Sequence, residues 1–231
     1  MTLGLGNTGR EHDRSFGEVS VWSANLDDLP CRPDVLSHDE LARSQRFLTS
    51  QLRDRYIAGR SWVRSVLGSE ADLHPAAVRF RYLELGKPVV EHPPNVLAFS
   101  LAHSADEALL AVGPPGGLGI DVERVTAGAY DRASADLVLS LDELRWIGHQ
   151  ADRDRAFLTC WVRKEAYAKV GGLGMDRYLA AHTFSGPHAH WEHEGLTIRD
   201  MPVENGLVAA IAVPIDRTVR HRGRWFGKEA A

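Results

Sequence analysis

Cysteine is nearly missing from this sequence of 231 residues, which holds only Cys31 and Cys160. Two thiols so far apart make neither a disulfide framework nor a zinc ribbon. Long hydrophobic runs are missing too, since no stretch approaches the roughly 18 apolar residues of a membrane span. The polar, glycine-rich start has no signal-peptide core, so residues 1–17 read as a disordered lead-in and the cytoplasm as the compartment. An excess of positive charge is also lacking. With 27 Lys and Arg against 31 Asp and Glu, the formal net charge is −4. That balance excludes wholesale nucleic-acid binding and leaves room for a local basic patch. What remains, 44% hydrophobic and 25% charged, is an ordinary globular composition, long enough for one large domain or two that share a core.

From Glu18 to Trp22 the residues alternate as a strand should. Ser37 and Glu40 have the spacing of a capping box and open a helical pattern that runs to Leu67, as two helices or as one bent at Gly59. Between Arg43 and Arg64 stand six arginines and one acid, Asp54. Arg46, Arg53 and Arg60 recur every seven residues as a basic stripe, which is either a solvated face or a phosphate site. Val78–Leu83, Asn95–Leu101 and Ala108–Val112 read as strands, with a turn at Glu84–Pro88 and His103 at a strand end. Gly113–Gly117 is the strongest breaker run and lies near the midpoint.

Next, alternation along Leu118–Arg124 places Leu118, Ile120 and Val122 on one face and Asp121 and Glu123 on the other. Carboxylates so placed are either solvated or bridged by a hard cation such as Mg²⁺. Ser140 and Glu143 form a second capping box, and Ala156–Val170 reads as a helix stopped by Gly171 and Gly172. Thr183-Phe184, Leu196–Met201 and Gly206–Val213 read as strands, and the tail from Asp216 is basic and loosely patterned. His182, His188, His190 and His193 match no zinc-ligand spacing.

Glu165 and Lys169 are four apart on the second long helix, the spacing of a surface salt bridge. Their azimuth argues otherwise. Leu158 lies seven before Glu165 and Val162 seven before Lys169, so both charges continue an apolar stripe that faces inward. Charges there need partners, and a metal and a phosphate qualify. The two halves also echo each other. Gly59–Arg64 parallels Thr159–Arg163, and Ala108–Pro114 parallels Val208–Pro214, each in the same order of elements. The expected fold is therefore α+β: two similar subdomains, 18–115 and 116–231, arranged as a pseudo-dimer, each with a small antiparallel sheet packed on a long helix.

Together, Asp121, Glu123 and Glu165 offer hard oxygen ligands, while Lys169, Lys87, His103 and the arginine stripe offer positive charge. That combination suits Mg²⁺-dependent transfer at a phosphoanhydride. Gly119-Ile120-Asp121-Val122-Glu123, followed by Trp161-Val162-Arg163-Lys164-Glu165-Ala166-Tyr167-Ala168-Lys169, resembles the paired signature of 4′-phosphopantetheinyl transferases. The length resembles the Sfp (surfactin-activating) type, with supporting matches at Gly86–Pro88, Phe99–Ser104 and Ser140–Leu144.

The resemblance implies transfer of the phosphopantetheine arm of coenzyme A to a serine of an apo acyl or peptidyl carrier protein, releasing adenosine 3′,5′-bisphosphate. It implies Asp121, Glu123 and Glu165 as Mg²⁺ ligands, Glu165 also as base, and Lys169 at the pyrophosphate. Lys87, His103, Arg43 and Arg55 would grip the nucleotide end, and Glu143 would have a secondary role. The protein is expected to act as a monomer with an internal pseudo-twofold, without nucleic acid or membrane as partner. Ser100 and Ala102 depart from the family's Asn and Ser, and Ala102 removes a hydroxyl able to meet a phosphate oxygen. A coenzyme A-binding module without turnover, and a Mg²⁺-dependent phosphohydrolase, are the rival readings. The first should lose the carboxylates or Lys169, which this chain keeps; the second needs no carrier.

Overall fold

Both serine–glutamate spacings form capping boxes. Ser37 accepts from the Glu40 amide and Glu40 accepts from the Ser37 amide, opening α1 (His38–Ser44). Ser140 and Glu143 do the same for α4 (Leu141–Gly148). The computed structural model describes residues 17–172, 177–188 and 190–224, so most of the expected lead-in lies outside the described residues. Among these, β1 (Glu18–Asn25) precedes α1, and a break at 45–49 separates α1 from α2 (Ser50–Ala71). The break falls there and not at Gly59. Thr49 caps α2, and Asp72 ends it in the left-handed region.

Four strands follow: β2 (Arg79–Tyr82), β3 (Pro88–His92), β4 (Ala98–Ser104) and β5 (Glu107–Gly113). After the glycine–proline run come β6 (Gly119–Arg124), α3 (Arg132–Val138), α4 and α5 (Arg153–Gly171). The chain ends in β7 (His190–His193), β8 (Leu196–Asp200), β9 (Leu207–Pro214) and β10 (Thr218–Arg224). Thr183 and Phe184, expected as strand, are irregular; the Phe184 amide and carbonyl go to Glu143 and Arg163, which leaves them no ladder partner.

The strands form a four-stranded sheet in the order β10-β1-β5-β4, a second in the order β6-β9-β8-β7, and the hairpin β2-β3. The first sheet is not purely antiparallel. The basic tail forms β10 and pairs in parallel with β1, from Glu18 opposite Thr218. Arg222 and Arg224 pair there with Glu18 and Glu107, which is what the basic composition of the tail serves.

Alternation along the strands builds the layers. Val19, Val21, Leu109 and Ala111 of the first sheet meet Ile120, Val122, Ala209 and Ile211 of the second in one apolar cluster. The opposite face of the first sheet packs on α2 through Leu110, Val112, Trp62 and Val66. The opposite face of the second packs on α5 through Ala210, Ala212, Val162 and Ala166. Helix, sheet, sheet and helix follow in that order, a mixed α/β architecture.

The capping glutamates also lock each long helix. Glu40 is buried and accepts from Arg60 Nε at 2.7 Å and Arg64 Nε at 2.8 Å. Arg64 also donates to the Val78 carbonyl at 2.6 Å. Glu143, fully buried, takes Lys164 Nζ at 2.8 Å and the Phe184 amide at 2.8 Å, while Lys164 donates to the Leu179 and His182 carbonyls. Arg60 is thus a core partner of Glu40. The seven-residue arginine stripe does not exist as one face, because Arg46 lies in the break and Arg60 points inward.

Candidate active site

The cleft between β6 and α5 depends on glycine. A Cβ on Gly119 would lie 1.9 Å from the Ala166 carbonyl oxygen, and one on Gly117 would lie 2.4 Å from a Val170 methyl. Their absence lets α5 approach β6 to backbone contact. Ala210 and Ala212 stand opposite Asp121 and Gly119 and keep the same face shallow. Asp121 and Glu123 share that face with Gly119 and so look at α5, while Ile120 and Val122 enter the core between the sheets. Leu158 and Val162 are buried as their period predicts, and Glu165 and Lys169 continue their stripe as half-buried groups.

Lys169 Nζ donates to Asp121 Oδ1 at 2.7 Å and to the Ile120 carbonyl at 3.2 Å. The i,i+4 helix pair is therefore replaced by a cross-element one. Asp121 is 6% exposed, and its Oδ2 is buried with no hydrogen-bond partner among the described residues. Burial pushes its pKa up to about 7 against the pull of Lys169, and the Glu165 and Glu123 carboxylates add to the rise. Burial likewise raises Glu165, opposed by Lys169 and assisted by Glu123. Three mutually repelling carboxylates and one orphaned carboxylate oxygen make a hard donor set that fits Mg²⁺.

Glu123 Oε2 accepts from Ser104 Oγ at 2.7 Å, and the same hydroxyl accepts from the Arg124 amide at 3.0 Å. Ser100 Oγ accepts from the Ile120 amide at 3.2 Å. The serines of β4 thus satisfy outward amides of the β6 edge. By the same alternation Ala102 faces Val122. Ala102 is 4% exposed and lies with Val122 in the apolar cluster between the sheets. Ser104 is the site residue that composition did not reveal as a Glu123 partner; the signal was its two-residue step from Ala102 and four-residue step from Ser100.

His103 is the last residue but one of β4, and its pKa is lowered by desolvation and then by Lys169, against Glu123. Lys87, from the turn between β2 and β3, donates to the carbonyls of Leu118 at 3.0 Å, Val170 at 3.3 Å and Lys169. All three ammonium donors are used, so Lys87 closes the C-terminus of α5 onto the start of β6. Burial, then Lys169, lowers its pKa to about 8. Arg43 and Arg55 belong to the other helix layer. Arg43 is exposed on α1, 5.8 Å from the Tyr56 ring centre, and Arg55 makes a two-pronged pair with Asp27 at 2.6 and 2.5 Å. The structure therefore gathers Asp121, Glu123, Glu165, Lys169, His103 and Lys87 around β6 and α5, and leaves the two arginines apart from them. Among the described residues, no helix is long and apolar enough to cross a membrane.

The sequence pattern of the 4′-phosphopantetheinyl transferase superfamily matches residues 117–207. That span takes in β6, α5 and most of the second sheet. The chain is 32% identical over 207 residues to the 4′-phosphopantetheinyl transferase HetI of Nostoc sp. (strain PCC 7120 / SAG 25.82 / UTEX 2576), covering 85% of this chain and 87% of that protein. It is 29% identical over 170 residues to the 4′-phosphopantetheinyl transferase AcpT of Escherichia coli (strain K12), covering 72% and 78%. A 4′-phosphopantetheinyl transferase of Bacillus subtilis is 25% identical over 142 residues, covering 62% of each chain.

Proposed function

We propose that this chain, which belongs to the 4′-phosphopantetheinyl transferase superfamily, uses the cleft between β6 and α5 to move the arm of coenzyme A onto a serine of an apo acyl or peptidyl carrier protein. The chain is a 4′-phosphopantetheinyl transferase. The observation that carries the mechanism is the buried, unpartnered Oδ2 of Asp121 beside Glu165 and Lys169.

Asp121, Glu123 and Glu165 would hold Mg²⁺. Bound there, the ion neutralises pyrophosphate charge and so assists departure of its leaving oxygen. Glu165 takes the proton of the carrier serine. In the ion-free cleft, burial raises its pKa, with Lys169 opposing and the Glu123 carboxylate assisting. A bond forms between the serine oxygen and the phosphorus of the arm, and the bond from that phosphorus to the bridging oxygen breaks. Adenosine 3′,5′-bisphosphate leaves with the electron pair. Lys169, paired here with Asp121, would meet the pyrophosphate where Asp121 serves as a ligand instead. Ser104 keeps the Glu123 carboxylate oriented.

For the nucleotide end we assign His103, Lys87, Arg43 and Arg55. Arg55 would exchange Asp27 for the 3′-phosphate, and Lys87 acts through position, since carbonyls share its ammonium. We read the halves 18–115 and 116–231 as a pseudo-dimer of the Sfp type, with β10 of the second half lent to the sheet of the first, acting as a cytoplasmic monomer. In support, each half sets a capping-box glutamate, Glu40 or Glu143, against cations of its long helix.

The test is direct. Incubation with coenzyme A, Mg²⁺ and a panel of apo carriers should raise the carrier mass by one phosphopantetheine, and omission of the ion should stop it. No gain on any carrier, or coenzyme A cleavage without a carrier, overturns the reading.

A further inference from the structure

On the far side of α5, tertiary folding assembles a group that no ligand spacing in the sequence announced. His182 follows the short helical turn Arg177–Ala181, His193 ends β7, and Glu194 begins the turn into β8. One ligand atom from each of the three lies within 4.8 Å of the others. The two imidazole rings meet edge to face, with centres 4.6 Å apart. His193 Nε2 is buried and has no hydrogen-bond partner among the described residues; its neighbour Glu194 Oε1 stands 3.8 Å away.

We propose that His182, His193 and Glu194 form a second cation site, separate from the β6–α5 carboxylates, that takes one first-row transition ion such as Zn²⁺. Two imidazoles and one carboxylate are the donor set of zinc sites that keep a fourth position for water, whereas Mg²⁺ and Ca²⁺ prefer oxygens alone. Bonds of about 2.0–2.1 Å place tetrahedral ligands roughly 3.3 Å apart, so the ligand atoms, now within 4.8 Å of one another, close by up to about 1.5 Å on binding.

Supporting groups are in place around them. Tyr167 donates its hydroxyl to Glu194 Oε2 at 2.5 Å, the kind of outer bond that orients a ligating carboxylate. Glu194 has φ of 49° and Gly195 φ of 75°, a two-residue hairpin turn whose first position usually holds Asn, Asp or Gly. A glutamate held there points its carboxylate at the histidines. An ion at this point ties the segment after α5 and the β7–β8 hairpin to Tyr167. That residue sits two positions from both Glu165 and Lys169. The site is thus a staple behind the catalytic helix, not a participant in transfer.

The test uses the full chain, stripped with a chelator and titrated with Zn²⁺ against a chromophoric competitor, with Co²⁺ absorption and thermal melts in parallel. One ion per chain, a four-coordinate Co²⁺ spectrum and a raised Tm are expected. Tyr167→Phe should weaken Zn²⁺ binding by about tenfold. The double variant His193→Asn/Glu194→Gln lies on the hairpin; with its far-UV spectrum unchanged, it should lose both the ion and the Tm increment. Glu165→Gln should keep them. Absence of a stoichiometric ion, full binding by the double variant, or loss of binding in Glu165→Gln each overturns the site. None of these readouts depends on carrier modification, so the two proposals fail independently.

Discussion

Gly119 and Ala166 are in backbone contact: a Cβ at position 119 would come within 1.9 Å of the Ala166 carbonyl oxygen. This one approach sets the distance between the strand that bears Asp121 and Glu123 and the helix that bears Glu165 and Lys169. Gly119→Ala must push α5 away from β6. Overpacking of this kind costs about 1–3 kcal/mol. The expected outcome is a lowered Tm together with near-complete loss of carrier modification, read by mass spectrometry. Normal transfer in this variant would show that the spacing of the two elements is not critical.

Lys164 and Glu165 are sequence neighbours with opposite duties. Lys164 is fully buried against Glu143, and leaving that carboxylate unpaired costs about 3–5 kcal/mol. Lys164→Met should therefore unfold at much lower denaturant concentration. Glu165→Ala should fold normally, because it removes a half-buried charge that repels its neighbours, yet lower transfer by roughly 10²–10⁴-fold. Denaturant melts and the mass assay on both variants check the division. Equal losses of stability would make Glu165 a structural residue.

Asp121 gives a pH signature. Burial, resisted by Lys169 and reinforced by Glu165 and Glu123, lifts its pKa from 3.8 to about 7. Between those values the folded protein binds a proton that the unfolded chain releases. Stability from this group is therefore greatest at low pH and falls as pH rises from about 4 to about 7. In chelator, Asp121→Asn should flatten the Tm profile across that window. The parent and the variant running parallel would contradict the assignment.

Ala102→Ser should place a hydroxyl between those of Ser100 and Ser104, facing the β6 edge at Val122. A hydrogen bond made there is worth about 0.5–1.5 kcal/mol. A higher Tm with an unchanged KM for coenzyme A is the expected result. A lower KM at unchanged Tm would return position 102 to the nucleotide site.

Much of this was legible in the residue order because it depends on neighbours. Ser37 with Glu40 and Ser140 with Glu143 start helices by local hydrogen bonds, and Leu158 and Val162 mark the inward face by period alone. Alternation alone separates Asp121 and Glu123 from Ile120 and Val122. The basic tail was not legible as a strand. Thr218–Arg224 alternates weakly, and it pairs with β1 about 200 residues away, a contact that no local pattern encodes. The arginines misled for a related reason. A seven-residue repeat assumes one helix, and residues 45–49 interrupt it, while Arg60 turns inward to the glutamate of the preceding cap.

The sequence by itself determined which side chains face inward and which carry the hard ligands and the positive charge, since short-range periodicity and covalent order settle both. Only the tertiary structure decided who meets whom. Lys169 finds Asp121, Lys87 closes the end of α5, and His182 joins His193 and Glu194. Each of these contacts joins residues from separate elements. Its existence depends on how closely two backbones approach, and at Gly119 that approach is a matter of a single absent methyl group.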